Sequence, residues 1–395
     1  MTKVIKNANI VLTDGVMEGA ALVIEDGRIV EIDPPSLPAD AEMIDAGGGY
    51  LLAGFVDLHV HGGGGADFMD ATIQDFEKVV STHLCHGTTT LYPTAMSATY
   101  DELIAFIDGF HQFRQSSAYG RITPGLHLEG PYLSGGSKLT KGAQDDSVIR
   151  PVDMDEAAAI LDAAQGAILR WDVAPEIDNS CELGDYLSAR GVTVSVAHSD
   201  ATAEQTQQAF DHGFSHVTHF YTATSAHRKR EQKVYAGIVE AAYLDDRVDL
   251  ELIGDGCHIA RTDMLLAKKI KGREKVAVIT DASRLAGSDL MSGKLGSMKR
   301  GVDIIVDDGV AKLCDMTSFA GSIATMDRCL RVLVRDFGIS INDASVMLSL
   351  TPARMGGCDS ERGSIEVGKD ADLVITTPEL EVVQVILGGE VVYKK

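Results

Sequence analysis

The sequence predicts an α/β chain, a (β/α)8 TIM-type barrel carrying a second, small β-sandwich domain formed from both chain ends. Three observations predict it. Short apolar strands alternate with amphipathic helices through the middle of the chain. The two ends alternate with the period of strands and show no helical periodicity. Ionisable residues recur where the middle strands end, which is where such barrels place their active sites.

The first stretch reads as a strand meander. Val4-Ile5, Ala8–Ile10 and Ala21–Ile24 are apolar, Glu25-Asp26-Gly27-Arg28 is a turn, and Ile29–Ile32 is the return strand. An Asp-Gly turn between β-branched runs is a hairpin signal. The last stretch has the same character: Gly368–Asp372 precedes Leu373-Val374-Ile375, and Val382–Ile386 precedes Gly388-Gly389 and Val391-Val392. The expected division is 1–53 with 359–395 as the small domain, and 54–358 as the barrel inserted between its halves.

In the middle, the expected strands are Phe55–His61, Thr88–Thr94, Thr123–Glu129, Ile168–Ala174, Val192–His198, His216–Tyr221, Asp249–Ile253 and Lys275–Thr280. Between them, Ile73–Cys85, Tyr100–Phe113, Met154–Ala164, Ala203–Asp211 and Met264–Ile270 have helical spacing. A doubly wound open sheet usually has fewer strands and carries phosphate-binding glycines in its first β–α turn. After the eighth strand, Val302–Val306, Asp307-Asp308-Gly309 and Val310–Leu313 read as an inserted hairpin.

Composition narrows the function. The chain is 395 residues long, 45% apolar and 24% charged, an ordinary globular balance that excludes disorder as its main state. No apolar run approaches the roughly 18 residues of a membrane span. The formal charge of −23 makes it a poor partner for nucleic acid. Met1–Asn7 lacks the apolar core of a signal peptide. Cys85, Cys181, Cys257, Cys314, Cys329 and Cys358 are scattered, with no C-x-x-C pair, and read as reduced, buried residues of a cytoplasmic protein.

Strand one ends in His59-Val60-His61, strand three in Glu129, strand five in His198 and strand eight in Asp281, while strand six holds His219. His59 and His61 are two residues apart on a strand, so both point to one face and can reach one metal. A single strand-end histidine would more often hydrogen-bond a loop carbonyl. Five strands carrying such residues form a ligand set for a divalent ion. His127 shares a face with Glu129 and is either near the site or beneath it. His83, His86, His111 and His212 read as surface or packing residues, and His216 begins its strand at the far end. Ala226-His227-Arg228-Lys229-Arg230 is a dense basic run in an acidic chain. Such runs are usually solvated loops, but its place after strand six favours a phosphate.

At these residues the chain resembles the amidohydrolase superfamily and, within it, the N-acetylglucosamine-6-phosphate deacetylases, over nearly its whole length. The shared stretches are Ala53–His61, Gly62–Asp70, Gly125–Tyr132, Lys141–Gln144, Ala197–Thr202, Thr218–Tyr221, Asp255–His258, Thr280–Ala282 and Phe319–Ser322. The resemblance implies that Glu129, His198 and His219 hold one metal, and that His59 and His61, with Glu129 bridging and Asp281 nearby, hold a second. One or two divalent ions per subunit are expected, Zn2+ foremost, with Fe2+, Mn2+ or Co2+ also accepted by this set. Strand four reads Leu169–Glu176 and lacks the modified Lys that bridges the metals of dihydroorotase and urease. Asp281 is implied as the catalytic base. Gln144, Thr222, Ala223, Arg230, His258 and Phe319 are implied to bind substrate, with Arg230 reaching the neighbouring site of a homodimer. The expected activity is hydrolysis of the N-acetyl group of N-acetylglucosamine 6-phosphate. The galactosamine isomer, or another N-acyl compound, is the alternative; a non-catalytic binding protein ranks lower. Two departures from the family pattern, Thr222/Thr224 and Arg284, are expected near the sugar.

Overall fold

The computed structural model describes every residue except Gly136, and all side chains but those of Lys138, Leu139 and Arg230. Eight parallel strands follow one another in chain order: Phe55–Val60, Thr88–Ala95, Leu126–Glu129, Ile168–Val173, Thr193–Val196, Phe214–Val217, Asp249–Ile253 and Val276–Ile279. The eighth returns to the first. Asp281 N–H donates to His59 O at 3.0 Å, and His61 N–H donates to Ala282 O at 3.0 Å, so the barrel closes at the ends where the strands stop. Strand two is buried at every position and strand eight is Val-Ala-Val-Ile, as expected of parallel strands covered on both faces.

The helices form the outer ring for legible reasons. Ile73–Cys85 begins at Thr72, whose side chain accepts from Asp75 N–H, and buries Phe76, Val79, Val80, His83 and Leu84 along one stripe. Tyr100–Ser116 begins with a capping box between Thr99 and Glu102. The two helices meet through Phe76, whose ring centroid lies 5.9 Å from Phe106 and 5.4 Å from Phe113. Each fully buried Phe contributes about 1.5–3 kcal/mol. Met154–Ala164 and Ala203–Asp211 form with the expected bounds, and the helix expected at Met264–Ile270 runs over Arg261–Lys271.

Both chain ends join in one mixed eight-stranded sheet. Tyr50–Ala53 lies between Leu373–Thr376 and Thr2–Val11, so the end of the chain pairs beside its beginning. The Asp26-Gly27 turn links Val16–Glu25 to Arg28–Ile32 with both turn residues at positive φ, and a Cβ at Gly27 would come within 2.9 Å of Gly388 O. The sheet wraps until Ile29 N–H donates to Lys369 O at 2.9 Å, enclosing its own apolar core around Ile5, Ile10, Leu22, Leu51, Leu373 and Ile386.

Several details differ from the sequence reading. Strands one, five and eight stop at Val60, Val196 and Ile279, short of His61, His198 and Thr280, and strand six starts at Phe214, so His216 does not begin it. Strand six ends at Val217, not Tyr221, because the backbone at His219 turns left-handed. The insertion is a three-stranded sheet of Ser292–Leu295, Val302–Asp307 and Val310–Leu313, one strand more than a hairpin. Of the cysteines, all six are free, but only Cys329 is buried and Cys314 is exposed.

Candidate metal centre

Six side chains converge where the barrel strands end. His59 and His61 place their Nε2 atoms 3.1 Å apart. Glu129 reaches into the middle: its Oε1 lies 2.8 Å from His198 Nε2 and 3.0 Å from His219 Nε2. Its Oε2 lies 3.5 Å from His61 Nε2. Asp281 Oδ1 is 3.2 Å from His61 Nε2 and 3.6 Å from His59 Nε2. All six residues are buried.

Backbone geometry aims several of them. His198, His219 and Asp281 have φ of 44°, 32° and 49°. Left-handed backbone at a non-glycine residue costs about 1–3 kcal/mol and persists only where neighbours hold it. At Asp281 the holders are visible: its N–H donates to His59 O, and its own carbonyl accepts from Ser322 N–H at 2.7 Å. Asp57 ties the same corner, accepting from Thr280 Oγ1–H at 2.6 Å.

Outer hydrogen bonds set which ring nitrogen faces the centre. Nδ1 of His61, His198 and His219 lies 3.2, 2.8 and 3.1 Å from the carbonyls of Thr94, Thr140 and Thr222. A carbonyl can only accept, so each Nδ1 carries a hydrogen, and Nε2 is the nitrogen turned to the centre. Gln144 Nε2 donates to Glu129 Oε2 at 2.8 Å, and Gln144 Oε1 accepts from Ser97 N–H at 3.2 Å.

The electrostatics are those of one acidic knot among imidazoles. Burial alone would raise Glu129, but His198 and His219 outweigh it and hold the carboxyl well below the usual range. Burial would lower His219, yet its bond to Glu129 raises it to about 9. His61 behaves likewise, raised to about 9 against burial by Asp281 and Glu129. His59 is held well below its ordinary value by burial, and its buried Nδ1 has no hydrogen-bond partner among the described residues. Three groups of side chains are close enough to hold a divalent ion: Glu129 with His198 and His219, His59 and His61 with Glu129, and, in the layer beneath, His59 with His127 and Asp172. Imidazoles around a shared carboxylate suit such an ion by donor chemistry, and a bound ion would displace the Nε2 protons that the carboxylates otherwise hold on His61 and His219.

A second polar layer lies beneath. His127 Nε2 is 2.9 Å from Asp172 Oδ1, and that oxygen accepts from Thr218 Oγ1–H at 2.8 Å. The His127 ring meets His59 edge-on at 4.7 Å. His127 is therefore under the centre, not on its surface. His83 is a packing residue, buried with Nε2 2.8 Å from Gly62 O.

Above the ligands is a cavity of about 490 Å³. His61, Glu129, His198, His219 and Asp281 form its floor, and Gln144, Thr222, Ala223, His258 and Phe319 line it. His258 is held by Asp255, whose Oδ2 lies 2.8 Å from Nδ1, and its ring packs against Phe319 at 4.8 Å. The side chain of Arg230 lies outside the described residues; its backbone pairs with Lys233 in a two-stranded ribbon. Sequence reasoning missed Met96, Leu295 and Lys312. Lys312, on the inserted sheet, is the only Lys or Arg lining the cavity among the described residues, and its Nζ lies 2.5 Å from Asp307 Oδ2. No spacing in the sequence linked that insertion to the site.

One expected departure is misplaced. Arg284 does not face the cavity. It is buried and donates to the carbonyls of Lys294 and Gly296 at 2.5 and 2.7 Å, with Asp70 Oδ2 at 3.1 Å. It fastens the inserted sheet to the loop after strand one. Of the other departures, Thr222 lines the cavity and Thr224, though buried nearby, does not.

Comparison with known proteins agrees with this geometry. Residues 50–392 match the amidohydrolase family. The chain is 32% identical to N-acetylglucosamine-6-phosphate deacetylase of Bacillus subtilis (strain 168), covering 98% of this chain and 96% of that protein. It is 30% identical to N-acetylgalactosamine-6-phosphate deacetylase of Escherichia coli O157:H7, covering 99% of both. Among solved structures, it matches a D267A mutant of N-acetyl-D-glucosamine-6-phosphate deacetylase from Mycobacterium smegmatis, in complex with N-acetyl-D-glucosamine-6-phosphate, with a TM-score of 0.90, 30% identity and full coverage of both chains.

Proposed function

The chain belongs to the amidohydrolase family, and from that membership and the site's geometry we propose that it hydrolyses the N-acetyl group of N-acetylglucosamine 6-phosphate, giving glucosamine 6-phosphate and acetate. The observation that carries the reading is the convergence of His59, His61, His198 and His219 on Glu129, with Asp281 beside them, at a cavity whose floor is formed by all of these residues but His59.

Glu129, His198 and His219 would hold one divalent ion, and His59 and His61 with Glu129 a second. A bound ion of this kind makes water more acidic and polarises a carbonyl. Asp281 Oδ1 takes the proton of the attacking water and delivers it to the sugar nitrogen as the C–N bond breaks. Gln144 keeps one N–H on Glu129 and has a second for the acetyl oxygen. His258, with Nδ1 fixed by Asp255, offers Nε2 to the sugar. The loop of Thr222 and Ala223 and the guanidinium of Arg230 take the phosphate, for which a planar fork of donors is suited.

Zn2+ is the ion proposed first, on the donor set. A homodimer is proposed because the ribbon carrying Arg230 presents Val234 and Tyr235 to solvent. Six free cysteines favour the cytoplasm, and among the described residues no helix is long and apolar enough to cross a membrane. A separate apolar core supports treating 1–53 with 359–395 as one domain and 54–358 as the other.

The galactosamine isomer is the second reading. Thr222, a departure from the family pattern, lines the cavity, and N-acetylgalactosamine-6-phosphate deacetylase of Escherichia coli O157:H7 is 30% identical. Acetate release from the two isomeric 6-phosphates and from unphosphorylated N-acetylglucosamine separates the readings. Fastest turnover of the gluco phosphate supports the proposal, and faster turnover of the galacto isomer replaces it. Equal turnover of the unphosphorylated sugar removes the phosphate from the account.

A further inference from the structure

A second cavity of about 200 Å³ adjoins the first. Ser97, Ala98, Arg300 and Val302 are among its walls. Three residues line both cavities: Met96, Ala143 and Leu295. They belong to one apolar cluster and are 7%, 9% and 3% exposed. A residue that lines two chambers at once is a partition one side chain thick.

The partition stands at a definite side of the site. Ala143 precedes Gln144, and Ser97, next to Met96, donates its N–H to Gln144 Oε1. These are the loops after strands two and three. Thr222, Ala223 and His258 lie on the loops after strands six and seven, across the cavity. A substrate whose carbonyl sits by Glu129 and Gln144, with its phosphate toward Thr222 and Ala223, turns its acyl methyl to Met96, Ala143 and Leu295.

We propose that Met96 and Leu295 set the length of the acyl group this enzyme accepts, and that the chamber behind them is a latent pocket for longer N-acyl chains. The inference rests on the deacetylase reading. An acetyl methyl ends against the partition, so each added methylene must displace a buried side chain. One methylene in an apolar pocket is worth about 10–200-fold in discrimination. Met96 is unbranched and adaptable, whereas Leu295 is fixed on a strand of the inserted sheet. Truncating either one joins the two chambers.

The test compares kcat/KM for N-acetyl- and N-butanoyl-glucosamine 6-phosphate in the wild type, Met96→Ala, Leu295→Ala and the volume-conserving Met96→Leu. The wild type is expected to prefer acetyl by about tenfold or more. The butanoyl-to-acetyl ratio is expected to rise about tenfold or more in an alanine variant and to stay put in Met96→Leu. Equal wild-type rates on the two substrates overturn the proposal without recourse to any variant. An unchanged ratio in both alanine variants overturns it as well. A wild type that cleaves neither substrate defeats the deacetylase reading itself, which is a different failure from acetyl cleavage with no gain on butanoyl.

Discussion

Gln144 donates through Nε2 to Glu129 Oε2 at 2.8 Å, while Glu129 Oε1 faces His198 and His219. The amide thus holds the central carboxylate in one rotation, and Ser97 N–H holds the amide. Gln144→Ala frees Glu129 to turn. Loss of such an outer partner typically costs 10–100-fold in metal affinity or activity. Metal titration and turnover of the variant check this, and wild-type values for both would leave Gln144 with no positioning role.

Asp281 is proposed to move protons, so its charge matters more than its shape. Asp281→Asn is expected to keep its metal and lose about 100- to 10,000-fold in kcat, the usual share of an acid–base group. Metal content measured beside kcat separates loss of the base from loss of the ion. A variant that stays active shows that another group takes the proton.

Arg230 is proposed to contact phosphate. Arg230→Ala should raise KM for the phosphorylated sugar by about tenfold or more, since charge-assisted hydrogen bonds contribute about 1.5–3 kcal/mol. The unphosphorylated sugar should be little affected. Equal effects on both would take Arg230 out of the phosphate site.

The site was legible in the sequence where period and chemistry coincide. His59 and His61 share a face because strand residues alternate, Glu129 ends strand three, and His198 and Asp281 each lie two residues beyond strands that apolar runs define. The turn of His219 was not legible, since left-handed backbone at His198, His219 and Asp281 is imposed by neighbours such as Ser322. That override also moved the end of strand six. The inserted sheet was visible as a hairpin, but nothing in its spacing said that Leu295 and Lys312 line the cavity. Arg284 looked like a sugar contact because it follows Asp281 closely. Its side chain instead turns to the carbonyls of Lys294 and Gly296. Pairing of the two chain ends beside each other is a tertiary fact that strand periodicity alone leaves open.

His83 gives the fold an acid sensitivity. Burial holds its pKa down at about 4, against 6.5 for an ordinary histidine. The unfolded chain therefore binds a proton below pH 6.5 that the folded chain refuses. Stability from this group is complete above pH 6.5 and is lost as pH falls toward 4, by up to about 3 kcal/mol. His83→Gln can keep a donor to Gly62 O and carries no titrating group. Urea midpoints between pH 7 and 4 should fall less in the variant than in the wild type, and parallel curves would show that His83 is not the source.

The central claim is that His59, His61, Glu129, His198, His219 and Asp281 form a metal-dependent amide-hydrolysing centre. Its most direct test is acetate release from N-acetylglucosamine 6-phosphate before chelation, after chelation and after Zn2+ is returned. The account predicts rapid release, its loss on chelation and its recovery with Zn2+, with one or two ions bound per chain. Undiminished release from protein verified to be free of metal would contradict it.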